Sequence, residues 1–350
     1  MRQPGGVSFE VPVVDIAPYV TGVGDRSATA AAMDAACRTV GFVQVVGHGV
    51  PRTASDGLAA AMDAFFGLPA HVKAAVRTPP EVNRGYSPPK SESLSLSLGV
   101  ASATRMNDFF EAFNVGASQE TYPGSPGLPL PDYAPNTWPD VPGFQDAVDT
   151  WFGEAARVAR TLTRVFADAL HLPADFFDAI TGHSLDVLRM NNYALPPGTV
   201  DLDGELTGMG EHTDYGIVTV LWADQVPGLQ VLGADGGWHD VSPVDGALLV
   251  NLGDVTARLT NERWTSTLHR VKPPVVDGTI RRRRSAAFFH DGDVDAVISV
   301  LPSCVGPGEE PRYLPVTVGE HVAAKLRGSR AGVVNTAAER DAARVLAARG

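Results

Sequence analysis

The segment GMGEHTDYGIVTVLW, Gly208 to Trp222, runs from a polar first half into an apolar second half. Its second half is rich in β-branched residues and reads as a strand bound for a protein interior. Yet Glu211, His212 and Asp214 stand at its mouth, and such groups are costly to bury without partners. Residues i and i+2 of a strand share a face, so His212 and Asp214 project together while Thr213 turns away. An imidazole nitrogen and a carboxylate oxygen on one face are two corners of a metal site. A solvated polar pair at a strand end is the plainer alternative.

A third ligand must come from the other histidines, His48, His71, His171, His183, His239, His269, His290 and His321. His269 is the best placed, in the strand-like TSTLHRVKPP. Four or five short strands fit between it and Asp214, enough to go round a jelly roll and return beside the first. Two histidines and one carboxylate on one face of a metal leave positions open opposite, the arrangement that non-haem Fe(II) uses for dioxygen chemistry. A hydrogen-bonded structural histidine is the alternative for His269 alone. In IRRRRSAAFFH, strand parity puts Arg283 and Ser285 on one face and Arg282 and Arg284 on the other. A guanidinium fork beside a hydroxyl suits a carboxylate. A basic edge strand that discourages sheet pairing is the competing account. It fits Arg281 and extends to Arg282, while the apolar continuation takes Arg283 into the core.

Further out, short segments rich in β-branched residues follow Gly182: LDVLRMNNYAL, GIVTVLWA, LQVLG, GWHDVSP, ALLVNLGD, TLHRVKPPVV, RRRSAAFFHD and VISVLP, separated by Gly, Pro and Asp turns. This spacing predicts a sandwich or jelly roll. Before it, Phe144, Val148, Trp151, Ala155, Val158, Leu162, Val165 and Ala169 recur every three or four residues and predict one long helix. Thr121 to Phe144 is too dense in proline for helix or sheet and reads as a surface connection. The N-terminal part opens with a short strand in VPVVDIAPYV and a turn at Pro18. A helix from about Ser27 to near Gly41 follows, then the strand FVQVVG, then a second helix with Leu58, Met62 and Phe65 or Phe66 inward. Cys37 falls among the core positions of the first helix. The expected plan is α+β: a double-stranded β-helix (jelly roll) core with N-terminal helices and a long supporting helix. Residues 1–350 form one unit, with a mainly helical part at 1–181, the jelly-roll core at 182–320 and a helical tail at 321–350.

The chain has 350 residues, 44% of them hydrophobic and 19% charged, enough for a sizeable core. Twenty-eight Lys and Arg against 40 Asp and Glu give a net charge of −12, which argues against nucleic acid and anionic membranes as partners. Two cysteines make no disulfide scaffold in a chain of this length, and no segment has the form of a signal peptide or membrane span. A cytoplasmic protein is expected, with its oligomeric state open.

Taken in order, GFVQVVGHGVP, NRGYSPP, NDFFEAFNVG, HTDYGIVTVLW, GLQVL, LVNLGD, LTNERWTSTLHRV and RRSAAFF resemble the isopenicillin N synthase-like Fe(II)/2-oxoglutarate dioxygenases over most of the chain. The resemblance implies that His212, Asp214 and His269 are iron ligands. It implies that Arg283 and Ser285 hold the distal carboxylate of 2-oxoglutarate, and that Asn191 and Tyr193 line the cosubstrate site. Ala194 stands where the family often has proline, and the interval from His269 to Arg283 is longer than usual. The implied function is an oxygenase that uses Fe(II), dioxygen and 2-oxoglutarate to oxidise a C–H bond of a small molecule, by hydroxylation, desaturation or ring formation. Halogenating relatives replace the carboxylate that Asp214 retains. A 2-oxoglutarate-independent oxidase of the same fold and a non-catalytic jelly-roll binding protein are the alternatives. Substrate contacts are expected from the N-terminal helices, from SESLSLSLG and from Phe110 to Phe113.

Overall fold

A computed structural model describes residues 9–89, 91, 94–100, 110–130, 132–194, 209–273, 275–276, 279–331, 333–336 and 338–349. Gly208 and residues 107–109, which belong to stretches quoted above, lie outside them, as do 92–93 of SESLSLSLG and 274 and 277–278 of the interval from His269 to Arg283. The chain opens with β1 (Val13–Asp15), α1 (Ala17–Thr21), α2 (Arg26–Thr39), β2 (Phe42–Val46), α3 (Arg52–Phe66) and α4 (Ala70–Ala74). Then come β3 (Gly85–Ser87), β4 (Glu111–Gly116), α5 (Phe144–Ala169), β5 (Val187–Tyr193) and β6 (Met209–His212). After these follow β7 (Val218–Ala223), β8 (Leu229–Leu232), β9 (Trp238–Asp240), β10 (Leu248–Leu252), α6 (Asp254–Leu259) and β11 (His269–Val271). The chain closes with β12 (Val275–Val276), β13 (Thr279–Ile280), β14 (Arg283–His290), β15 (Val297–Ile298), β16 (Val316–Thr317), α7 (Val318–Ala331) and α8 (Glu339–Arg349). Among the described residues, no helix is long and apolar enough to cross a membrane.

Two sheets make the jelly roll. The major sheet has the order β1-β2-β10-β7-β14-β5-β4-β3, and the minor sheet has the order β6-β11-β8-β9. Alternation along the major strands sorts their side chains into two layers. Outward-facing Val43, Phe113, Leu188, Val220, Val250 and Phe288 pack with Met33, Leu58, Met62, Phe65, Trp151 and Leu162 of α2, α3 and α5 in the larger core. Inward-facing Phe42, Ala112, Tyr193 and Leu249 meet Met209, Leu229, Val231 and Val271 of the minor sheet in a smaller one. The polar exceptions on this inner face are the side chains that build the site.

Helix α5 buries all eight residues of its predicted stripe. It ends where His171 takes a left-handed backbone (φ 56°) with Pro173 just beyond, because proline cannot continue the ladder. Burying a large apolar side chain contributes about 1.5–3 kcal/mol, so this face ties the helix to the outer side of the sheet.

Several expectations need correction. Pro18 lies not in a turn but in the first turn of α1, where its missing N–H costs nothing. The described residues of the segment before Phe144 have no regular structure beyond a short 3-10 turn at Gln119–Thr121, but they are not wholly superficial. Tyr133 is fully buried, and its hydroxyl donates to the His183 carbonyl at 2.6 Å. The division at residue 181 is no break in the sheet, since β1 to β4, all before it, supply half of the major strands. Strand β14 is internal, flanked by β7 and β5, so Arg283 and Arg284 lie on no edge strand, and Arg281 and Arg282 precede it. Arg282 and Arg284 point outward and clamp Asp63 of α3 at 2.5 and 2.8 Å. The lengthened interval before Arg283 contains the β12–β13 hairpin.

Candidate active site

His212 and His269 face each other as a directly opposed pair of antiparallel strands, with ring centroids 4.1 Å apart. Asp214 lies just past the end of β6, so it joins the pair through the chain's exit from the strand rather than by strict strand parity. Its Oδ1 is 3.9 Å from His212 Nε2 and 3.7 Å from His269 Nε2. One ligand-type atom from each residue lies within 4.8 Å of the others, and all three side chains are buried.

The surroundings aim these atoms. His212 Nδ1–H donates to the Gly210 carbonyl at 2.8 Å, and His269 Nδ1–H donates to the Thr267 carbonyl at 3.0 Å. Each bond fixes the tautomer that leaves the Nε2 lone pair toward the cluster. Burial and the neighbouring His269 push the His212 imidazole down to about 3, so it stays neutral at physiological pH. The other carboxylate oxygen, Asp214 Oδ2, accepts from Thr219 Oγ1 at 2.5 Å and from Asn251 Nδ2 at 2.6 Å. With Oδ2 doubly bonded to protein donors, Oδ1 is the atom left for a cation. Two imidazoles presenting Nε2 and one such carboxylate fit an octahedral-preferring divalent metal that keeps three positions open.

A second cluster, His183, Asp293 and Asp295, has suitable atoms within the same span. Its Asp293 oxygens already accept from the backbone N–H groups of Gly182 and His183, and Asp295 is exposed.

Arg283 and Ser285 lie on the inner face of β14, both 2% exposed. Their cross-strand neighbours in β5 are Tyr193 and Asn191, in that order. Strand parity thus brings together the four residues expected around a cosubstrate. The Arg283 guanidinium lies 5.2 Å from the centre of the Tyr193 ring. Its Nε and Nη1 meet no hydrogen-bond partner among the described residues. A buried cation with donors to spare beside a hydroxyl, opening into the same cavity as the His–Asp–His cluster, is a receptor for an anion.

Thr219 and Asn251 were not foreseen. The signal for Asn251 was a single amide inside the apolar strand LLVNL, while Thr219 gave none. The cavity wall also differs from expectation. Leu94 of SLSLSL lines it, but no described residue of α1 to α4 does, and Val322, Leu326, Ser329 and Arg330 of α7 do instead. Phe110 supports the wall from behind, 5.6 Å from Tyr193 and 5.1 Å from the Arg189 guanidinium.

Residues 11–141 match the family described as non-haem dioxygenase in morphine synthesis N-terminal, and residues 185–292 match the 2OG-Fe(II) oxygenase superfamily. The chain is 34% identical over 316 residues to the 2-oxoglutarate-Fe(II) type oxidoreductase hxnY of Emericella nidulans, covering 89% of this chain and 88% of that one. It is 31% identical over 343 residues to clavatol oxidase claD of Penicillium crustosum, covering 93% and 98%. Among solved structures, a full-length Neurospora crassa protein in complex with alpha-KG and thymine is 27% identical, with a TM-score of 0.78 over 90% of this chain and 96% of that one. JOX2 in complex with 2OG, Fe and JA is 27% identical, with a TM-score of 0.74 over 95% and 88%. These relatives speak for 2-oxoglutarate dependence and lend nothing to a cosubstrate-free oxidase. With its jelly roll and its His–Asp–His cluster, the chain belongs to the 2OG-Fe(II) oxygenase superfamily.

Proposed function

We propose that His212, Asp214 and His269 hold the Fe(II) of this oxygenase, and that Arg283 and Ser285 hold the distal carboxylate of 2-oxoglutarate, with Asn191 and Tyr193 beside it. The observation that carries this assignment is the pairing, in one cavity, of a three-residue metal-type cluster with a buried arginine whose Nε and Nη1 lack partners among the described residues. When bound, Fe(II) with dioxygen and 2-oxoglutarate supplies an oxidant for a substrate C–H bond, and the 2-oxo acid leaves as succinate and carbon dioxide.

The chain's own groups do the rest. Thr219 and Asn251 keep Asp214 presenting one oxygen. The Gly210 and Thr267 carbonyls keep both imidazoles presenting Nε2. The Arg283 fork fixes the direction of a carboxylate, and Ser285 donates a further hydrogen bond. Leu221, Leu229, Ala287, Phe289 and Leu326 give the cavity apolar walls that limit water. The substrate is a small molecule of specialised metabolism, oxidised by hydroxylation, desaturation or ring formation. Clavatol oxidase among the relatives supports the metabolic setting. The net charge of −12 and the two free cysteines support a reducing, cytoplasmic location without nucleic-acid or membrane partners.

The test is succinate formation from 2-oxoglutarate with Fe(II) and ascorbate, stimulated by substrate, together with metal analysis. Wild-type protein binds one iron, and His212→Ala and His269→Ala lose it. Full iron occupancy in both variants would overturn the ligand assignment.

A further inference from the structure

One polar group on the inner face of the major sheet is used by neither the metal cluster nor the carboxylate pair. Asn114 of β4 is fully buried (0% exposed) and lines the cavity. Neither its Nδ2 nor its Oδ1 meets a hydrogen-bond partner among the described residues. Its neighbour across to β5 is Arg189, and on the other side it pairs with Gly85 of β3, which has no side chain to offer. Leaving a whole carboxamide unmatched in the interior costs stability, and a group so placed on a cavity wall calls for an account.

We propose that Asn114 is a specificity-determining residue, and that the substrate it reads carries a ring amide, an –NH–CO– unit held cis within a ring. This rests on the assignment of the cavity as the oxygenase site. A carboxamide offers one accepting oxygen and a donating NH2 side by side. Both are satisfied at once by a ligand edge that presents N–H and C=O in parallel. Open-chain amides are trans and point the two groups in opposite directions. A lactam, pyridone or pyrimidinedione ring fixes them cis, on one edge. A carboxylate only accepts, so it would leave Oδ1 unmatched, and a single hydroxyl cannot meet both atoms with good geometry.

The neighbours suit such a ring. Arg189, the register partner of Asn114, lines the same cavity, and its Nε donates to Asn191 Oδ1 at 3.1 Å. Val187 and Phe289, paired in the next row of the sheet, and Leu326 of α7 provide apolar surface for the ring faces. Phe289 in turn pairs with Thr219, the residue that holds Asp214. A ring anchored by its amide edge at Asn114 therefore extends along the same inner face toward the metal cluster.

The experiment uses anaerobic protein loaded with Fe(II) and 2-oxoglutarate, titrated calorimetrically with 2-pyridone, uracil and 2-piperidone, and with N-methyl-2-pyridone as the control lacking N–H. Wild-type protein binds at least one ring amide, and N-methylation weakens that binding at least tenfold. Asn114→Leu, which removes both unmatched groups, and Asn114→Asp, which keeps the shape but loses the donor, each weaken it by ten- to hundredfold. In Asn114→Leu, which has no acceptor for the N–H, the discrimination against N-methyl-2-pyridone disappears. The thermal midpoint of Asn114→Leu equals or exceeds that of wild type. A fall of several degrees would show that the amide is bonded within the protein and would overturn the proposal. So would failure of all three ring amides to bind protein that still binds 2-oxoglutarate. Failure of wild-type protein to bind 2-oxoglutarate would instead sink the site assignment, and this proposal with it.

Discussion

Replacing Arg283 with leucine separates what the residue does for the fold from what it does for the ligand. In the protein without cosubstrate, the guanidinium is 2% exposed and its Nε and Nη1 lack partners among the described residues. Unmatched buried polar groups cost about 1–3 kcal/mol, more when charged. The contact with the Tyr193 ring returns about 0.5–2 kcal/mol. Arg283→Leu therefore leaves the stability of the ligand-free protein unchanged or raises it by about 1 kcal/mol. A chain of 350 residues unfolds with an entropy of about 0.7 kcal/mol/K, so the midpoint rises by about 1–2 °C. With 2-oxoglutarate the sign reverses. Removing one partner of a buried ion pair costs about 3–5 kcal/mol, and at about 1.4 kcal/mol per decade the affinity falls by roughly two to three and a half orders of magnitude. Wild-type protein at a hundred times its Kd gains about 2.7 kcal/mol, or about 4 °C, from the cosubstrate, and the variant gains almost nothing. The assay is thermal unfolding and calorimetry with Mn(II) or anaerobic Fe(II), with and without 2-oxoglutarate. A variant that melts several degrees lower without ligand, or that keeps wild-type affinity, would refute the reasoning.

Asn251→Leu frees Asp214 Oδ2 from one of its two donors; metal affinity should fall about 10- to 100-fold, as read by competition with a chelating dye, and an unchanged affinity would remove Asn251 from the site's support. Burial, then the charges of Asp186 and Asp214, hold the Asp291 carboxyl well above the usual range, so the folded protein keeps a proton that the unfolded chain releases. Its cost to stability grows as pH rises from the ordinary carboxyl range to the folded pKa, so Asp291→Asn should stabilise metal-free protein at pH 8 and not at pH 4, and equal shifts at both pH values would contradict this. A fragment beginning at Leu185 lacks β2 and β4, the partners of β10 and β5, and the outer-face helices α2, α3 and α5; it should show no cooperative thermal transition, and a sharp one would prove the jelly roll autonomous.

The sequence by itself determined the local facts. The stripe of α5 follows from apolar spacing along one helix. The shared face of Arg283 and Ser285 follows from the two-residue period of a strand. The proximity of His212 and Asp214 follows from their separation by one residue, although the structure brings them together around a strand end. Tertiary structure decided which local faces meet. That His212 is opposed by His269 depends on the register of β6 against β11, set by pairing across a long intervening chain. Asn251 becomes a support of Asp214 only because β10 lies beside β7, where it pairs with Thr219. The edge reading of Arg281 and Arg282 stops at β14, which β5 and β7 flank from Arg283 onward, and Asp63 of α3 accounts for Arg282 and Arg284. Helix α7 enters the cavity wall from the far end of the chain. No local period encodes such contacts, because they join residues whose separation along the chain is large and whose meeting is fixed by the packing of whole layers.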